Sequence, residues 1–467
     1  MEDVIMSNKN YSTSKVVQSL FLFSLVNVAF PIQSDAANPT YPIIADVQTT
    51  RQRTVSPTQL TGVIPLTIDQ VDQYAPIGYS SWGWGSPVNY GPQLPDGTVP
   101  PKPVPAETLL SFFTISDIHI IDKESPSQAI YGTFTPPYTG GLGKTNTSSY
   151  SPIMLSTTHV LDAAVQTINA LHRNPGPDQA PFDFGISLGD DANNNQYNEL
   201  RWFIDVMDGK RITPSSGAHK GAGSIDYQKP YQSAGLDKSI PWYQTIGNHD
   251  QYWCGTLLVD DYDRKTLTGN TVMDMGVTAA GFPTFDARGI YAGIIDGTTE
   301  YGTITGMGST TTMMPPMIAA DPRRHALATS TSTSLNWMKE FFKTTSKPKG
   351  HGFTQANLDK DFASYTFEPK ANVPLKVIVL DDTCKTDPYA AESSYARGCL
   401  DQARYDWLVG ELTKGQDEGK LMIITAHVPV GPQSNVPDNP VPPGGPANNM
   451  PLPALLSQCM EGKSCSS

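Results

Sequence analysis

Four short polar clusters hold residue types that can do chemistry together: Asp117-Ile118-His119, Gly189-Asp190, Gly247-Asn248-His249-Asp250 and Ala426-His427. Carboxylates, imidazoles and a carboxamide make a mixed oxygen and nitrogen donor set. Such a set suits Fe, Mn or Zn better than Ca or an ion that prefers thiolates. Alternate residues of an extended segment share one face, so Asp117 and His119 can reach one ion together. Asp190 follows a glycine, which lets the chain turn sharply and present a carboxylate whose two oxygens can bridge two ions. Asn248 offers an amide oxygen and His427 an imidazole. Two ions about 3.5–4 Å apart polarise a phosphoryl oxygen and hold a hydroxide for in-line attack. His249 would then stand beside the leaving oxygen as acid or charge stabiliser, oriented by Asp250.

Each cluster closes a short apolar run. Residues 109–115, 182–188, 242–246, 375–380 and 421–426 read as buried strands, the fourth ending in Asp381-Asp382. Between them, helical spacing appears at 158–172, with Val160, Leu161, Ala164, Val165, Ile168 and Leu171 inward. Further helices are predicted at about 195–207, stopped by Gly209, and over 332–342 and 400–412. Strands alternating with helices predict an α/β sheet that gathers the donors at the carboxyl ends of its strands.

The order and context of the four motifs resemble the calcineurin-like metallophosphoesterase superfamily over about residues 109–430. The resemblance implies a layered β-sandwich flanked by helices and two transition-metal ions. Asp117 and His119 would hold one ion, Asp190 would bridge, and Asn248 and His427 would hold the other. His249 would be the catalytic histidine. The implied reaction is hydrolysis of a phosphate mono- or diester by a metal-bound hydroxide. The superfamily's closing Gly-His-x-His has no counterpart after His427, so five of seven ligands are matched and the C-terminal part is expected to be missing. Residues 108–467 form the expected domain, with 251–345 as an insertion lying over the site. Residues 37–107, rich in Pro and Gly, read as a wrapping segment in which Trp82 and Trp84 pack a loop down.

The chain has 467 residues, with 32 Lys+Arg against 45 Asp+Glu and a net charge of -13. That balance argues against a nucleic-acid backbone as partner, which needs clustered cations, and leaves a small phosphorylated substrate held through metal. Lys9 and Lys15 precede an apolar run at 16–30, followed by small residues with a cleavage site after Ala36. This reads as a signal peptide over 1–36 and an exported protein. The run is short for a membrane span. Among five cysteines, Cys384 with Cys399 and Cys459 with Cys465 could close loops, the first contributing on the order of 3 kcal/mol. Asn146-Thr147-Ser148 matches a glycosylation sequon. Two other readings stay open. Gly185-Ile186-Ser187-Leu188-Gly189 fits G-x-S-x-G, with Asp381 or Asp382 and His427 following in the order of a serine esterase. A fold that cannot hold both metals would be an inactive relic.

Overall fold

The computed structural model of the chain describes residues 49, 52–62, 75–78, 81–86, 108–128, 155–175, 179–215, 229–277, 283–284, 289–295, 304–385, 395 and 398–428. The signal segment, the sequon, Cys459, Cys465 and the chain beyond 428 lie outside them. Two short strands, Thr54–Pro57 (β1) and Trp82–Gly85 (β2), pair antiparallel. Trp82 and Trp84 share one face of β2, and they are 63% and 66% exposed instead of packed down. The Arg53 guanidinium lies over the Trp84 ring at 3.0 Å.

The sheet that carries three of the four motifs is parallel. It takes Phe112–Ile115 (β3), Phe184–Ser187 (β4) and, after the small pair Arg211–Ile212 (β5) and Tyr231–Gln232 (β6), Trp242–Gln244 (β7). Parallel neighbours need crossovers, and the helices Thr157–Arg173 (α1) and Tyr197–Asp208 (α2) lie within them. In α1, Leu161, Val165 and Ile168 are buried as their spacing predicts, but Val160 is 47% exposed. In α2, Leu200, Phe203, Ile204 and Met207 are buried, and the helix ends at Gly209.

Residues 251–345 are not only a cover. They contain the helix Asp261–Thr268 (α3) and a four-stranded sheet of Asp274–Val277 (β8), Pro283–Thr284 (β9), Ile290–Ile295 (β10) and Ile304–Ser309 (β11). Trp253, Val259, Val272, Met273, Met275 and Tyr291 form a small buried cluster of their own. The short helices Leu335–Glu340 (α4) and Gln355–Lys360 (α5) follow.

A second three-stranded sheet comprises Tyr365–Phe367 (β12), Leu375–Leu380 (β13) and Leu421–Ala426 (β14). β12 is antiparallel to β13, and β13 is parallel to β14 across the helix Gln402–Asp417 (α6). This sheet shares a core with the first. The Tyr365 hydroxyl accepts from the Gln244 N–H (3.0 Å) and donates to its carbonyl (2.8 Å), and Phe367 stacks on Tyr243 at 3.5 Å. The chain is thus mixed α/β with several small sheets. Among the described residues no helix is long and apolar enough to cross a membrane. Cys384 and Cys399 are bonded, with Cα atoms 5.0 Å apart, and Cys254 is free.

Asp208 ties α2 to the segment after α4. Its carboxylate accepts from the Thr344 hydroxyl (2.6 Å), the Ser346 hydroxyl (2.7 Å) and the Thr345 N–H (3.0 Å), and pairs with Lys210 (2.8 Å). Burial alone would raise its pKa. The bonds from Lys210, Thr344 and Ser346 win and lower it from 3.8 to about 2. The stability this contributes is therefore complete above pH 3.8 and is lost as pH falls through about 2. Asp208→Ala should cost about 2 kcal/mol near neutrality. Urea unfolding should show the gap to wild type closing as pH falls from 4 to 2.

Candidate metal centre

All four motifs converge beyond the ends of β3, β4, β7 and β14. Asp117, His119 and Asp190 hold left-handed backbone, with φ of 55°, 46° and 57°. That conformation costs a non-glycine residue about 1–2 kcal/mol, and such strain concentrates at functional sites. It also changes the expected geometry, because Asp117 and His119 do not alternate along a strand. They meet through successive left-handed turns that run along 189–191. The N–H groups of Asp117, His119 and Ile120 donate to the carbonyls of Gly189, Asp190 and Asp191 at 3.1, 2.9 and 2.8 Å.

Three imidazoles share one orientation. His119 Nδ1 lies 3.2 Å from Asn193 Oδ1, His249 Nδ1 2.6 Å from the Asn193 carbonyl, and His427 Nδ1 2.9 Å from the Leu188 carbonyl. An oxygen of this kind only accepts, so each Nδ1 carries the proton and donates. Each Nε2 is left to face the site. His119 Nε2 lies 3.6 Å from Asp190 Oδ2 and 3.7 Å from Asp117 Oδ1. His427 Nε2 lies 3.3 Å from Asp190 Oδ2 and 2.8 Å from Asn248 Oδ1. The rings of His119 and His249 meet edge to face at 4.4 Å.

Asp190 is the common member. Its Oδ1 accepts from the His249 N–H at 2.8 Å, which leaves Oδ2 as the oxygen facing the imidazoles. Of the two oxygens the sequence offers at Asp190, one is thus already engaged by a backbone N–H. Against a burial that would raise it, the neighbouring imidazoles of His249, His427 and His119 lower the Asp190 pKa. The neighbouring His119 imidazole helps hold Asp117 down to about 2. His427, which burial would lower, is raised to about 10 by the Asp190 carboxylate. His249 behaves differently, because burial and the nearby His119 hold it down to about 4.

Asp250 does not orient His249. Its carboxylate accepts from the N–H groups of Asp190 and Gly247 (both 2.9 Å), Asp191 (3.1 Å) and Ala192 (3.2 Å). The reversal after β7 turns its side chain back onto the loop after β4, so it staples the two loops together. Their approach also needs Gly247, where a Cβ would lie 2.1 Å from Asp190 Oδ1. The residue that orients His249 is Asn193, 1% exposed, and it holds His119 as well. Its position in the run Asn193-Asn194-Asn195 reads as a turn. The signal was a triple amide beginning three residues after Asp190.

Two groups of donors lie close enough to hold an ion. His119, Asp190 and His249 form one, and Asp117, Asp190 and His427 the other, with the donor atoms of each within 4.8 Å of one another. No protein-family model matches this chain, and no curated protein matches it. The site therefore stands on its own geometry. The residues present fit a cation: three imidazole nitrogens and two carboxylates with lowered pKa values point inward, with second nitrogens tied to oxygens as metal-bound histidines usually are.

Asp117, with its side chain 59% exposed, stands at the open edge. A cavity of about 450 Å³ adjoins it, lined by Ser116, Asp117, Asn248 and His427. Ser187 is buried on β4 and donates to Asp191 Oδ1 at 2.6 Å, while His427 Nε2 faces Asn248 and Asp190. Asp381 pairs with Lys385 at 2.9 Å and Arg404 at 3.4 Å. Ser187, Asp381 and His427 of the esterase reading are thus each bound elsewhere, and the alternative acid Asp382 accepts from the Val428 N–H at 3.2 Å. Arg324 is buried against Asp122 at 3.0 Å.

Gly255 closes the far wall. At φ 66° its missing Cβ would lie 2.2 Å from His249 Cδ2 and 2.3 Å from Asn248 Nδ2. Gly255→Ala must displace both side chains and adds about 1 kcal/mol or more of backbone strain. Metal affinity, read by chelator competition, should fall by at least about tenfold.

Proposed function

We propose that this chain hydrolyses phosphate esters with two transition-metal ions, as its resemblance to the calcineurin-like metallophosphoesterases implies. The observation that carries the reading is the common orientation of His119, His249 and His427 around the Asp190 carboxylate. His119, Asp190 and His249 would hold one ion. Asp117, Asp190 and His427 would hold the other, with Asn248 Oδ1 beside it. When bound, Fe, Mn or Zn supplies the Lewis acidity that polarises a phosphoryl oxygen and lowers the pKa of water.

The chain's own residues position and orient. Asn193 fixes two imidazoles, Asp250 fixes the loops, and the cavity beside Asp117 admits a small phosphorylated substrate. His249 takes a different part from the one expected of it. A proton donor needs a partner that sustains an imidazolium, and its Nδ1 meets a neutral carbonyl instead of a carboxylate. Near neutral pH its Nε2 therefore offers a lone pair, which suits a ligand. The shared core of the two three-stranded sheets supports the layered sandwich of that superfamily. The signal-like segment and the Cys384–Cys399 bridge support an exported protein, since disulfides persist in oxidising compartments.

The test is turnover of bis(4-nitrophenyl) phosphate and 4-nitrophenyl phosphate by purified protein. Activity should vanish with a chelator, return with Mn or Zn, and survive a serine-directed fluorophosphonate. Chelator-resistant activity that the fluorophosphonate blocks would overturn the reading.

A further inference from the structure

The wholly buried Gln251 carboxamide joins the metal loop to a segment outside it. Its Nε2 donates to the Gly247 carbonyl (3.0 Å) and to Thr383 Oγ1 (2.7 Å). Its Oε1 accepts from the Thr333 hydroxyl (3.0 Å) and from Lys385 Nζ. All its hydrogen-bonding directions are used, as a buried amide requires. Tyr252 repeats the linkage: its N–H donates to the Asn248 carbonyl (2.9 Å), and its hydroxyl to the Cys384 carbonyl (2.6 Å). The Gly247 N–H is held by Asp250, and its carbonyl by Gln251. The ligand-bearing turn is therefore gripped on both sides. Of the four outer anchors, the two that accept, Thr383 and Cys384, lie in the segment that the Cys384–Cys399 bridge, the Thr383–Gly398 pairing and the Cys399 N–H to Asp382 carbonyl bond (2.8 Å) hold in place.

We propose that Gln251 is a positioning residue that transmits the fixed geometry of the disulfide-closed loop to Asn248 and His249. Metal affinity then depends both on this amide and on the bridge, although neither touches an ion. The inference rests on the metal-dependent reading above. It is tested by titrating zinc against a chromophoric chelator with the full chain, alongside circular dichroism to verify folding. The variants are Gln251→Ala, Thr383→Val, the pair Cys384→Ser with Cys399→Ser, and the pair combined with Gln251→Ala.

Gln251→Ala and the cysteine pair should each weaken zinc binding by about tenfold. Thr383→Val, which removes one hydroxyl partner with little change of shape, should weaken it in the same direction. The combination should be little weaker than Gln251→Ala alone, because the two changes cut the same strut. Unchanged zinc affinity in folded Gln251→Ala and Thr383→Val would overturn the inference while leaving the metal centre standing. Full additivity of the cysteine pair with Gln251→Ala would overturn the coupling to the bridge. A wild-type chain that binds no zinc would remove the metal reading itself.

Discussion

Asp190→Ala should leave the chain without bound metal and reduce phosphoester turnover by at least about a thousandfold, a barrier change of about 4 kcal/mol. Asp190 is the one member common to both donor groups. Its Oδ2 lies 3.3 Å from His427 Nε2 and 3.6 Å from His119 Nε2. Its Oδ1 also fixes the His249 N–H. Removing it leaves three imidazoles facing one another with only Asp117, at the open edge, to balance a cation. Asp190→Asn sharpens the point. It keeps the shape and one oxygen but not the charge, and should still lose the metal. Elemental analysis after dialysis and a turnover assay read both effects, and near-normal rates in either variant would end the two-ion account.

His249→Ala should lower the metal content to about one ion per chain and weaken what binds by at least the roughly 10–100-fold lost when an outer-shell partner is removed. The reason lies in the partner of Nδ1. A catalytic imidazolium is usually sustained by a carboxylate, and here Asn193 supplies its backbone carbonyl at 2.6 Å. Nε2 points toward the same space as His119 and Asp190. If His249 were instead a proton donor, His249→Ala would keep both ions and lose only turnover. Metal content separates the two roles where activity alone does not.

Much of the candidate site is legible in the sequence, for a physical reason. Asp117, Asp190, Asn248 and His427 each follow an apolar run, and a polar donor at the end of a buried strand has little packing use. The strands themselves were visible where apolar residues ran nearly unbroken, as in the fully buried β13, interrupted only by Lys376. Sequence adjacency misled at Asp250. A neighbour in the chain is not a neighbour in space once the backbone reverses, and its carboxylate turned to four backbone N–H groups. The left-handed turns at Asp117 and His119 carried no glycine to mark them. Asn193 was missed because half of its work is done by a backbone carbonyl, which every residue has. β12 was too short to stand out, although Tyr365 joins the two sheets. The buried cluster around Trp253 and Met273 draws on residues scattered through a Gly-, Thr- and Met-rich region, and no periodicity announces such a core.

The central claim is that this chain holds two ions around Asp190, and the most direct test is metal stoichiometry. Purified protein stripped by chelator is dialysed against Mn, Zn or Fe, and ions per chain are counted by elemental analysis. The account predicts two ions per chain for at least one of these metals, and none bound by Asp190→Ala. Fewer than one ion per folded chain, with every metal at saturating concentration, would contradict it.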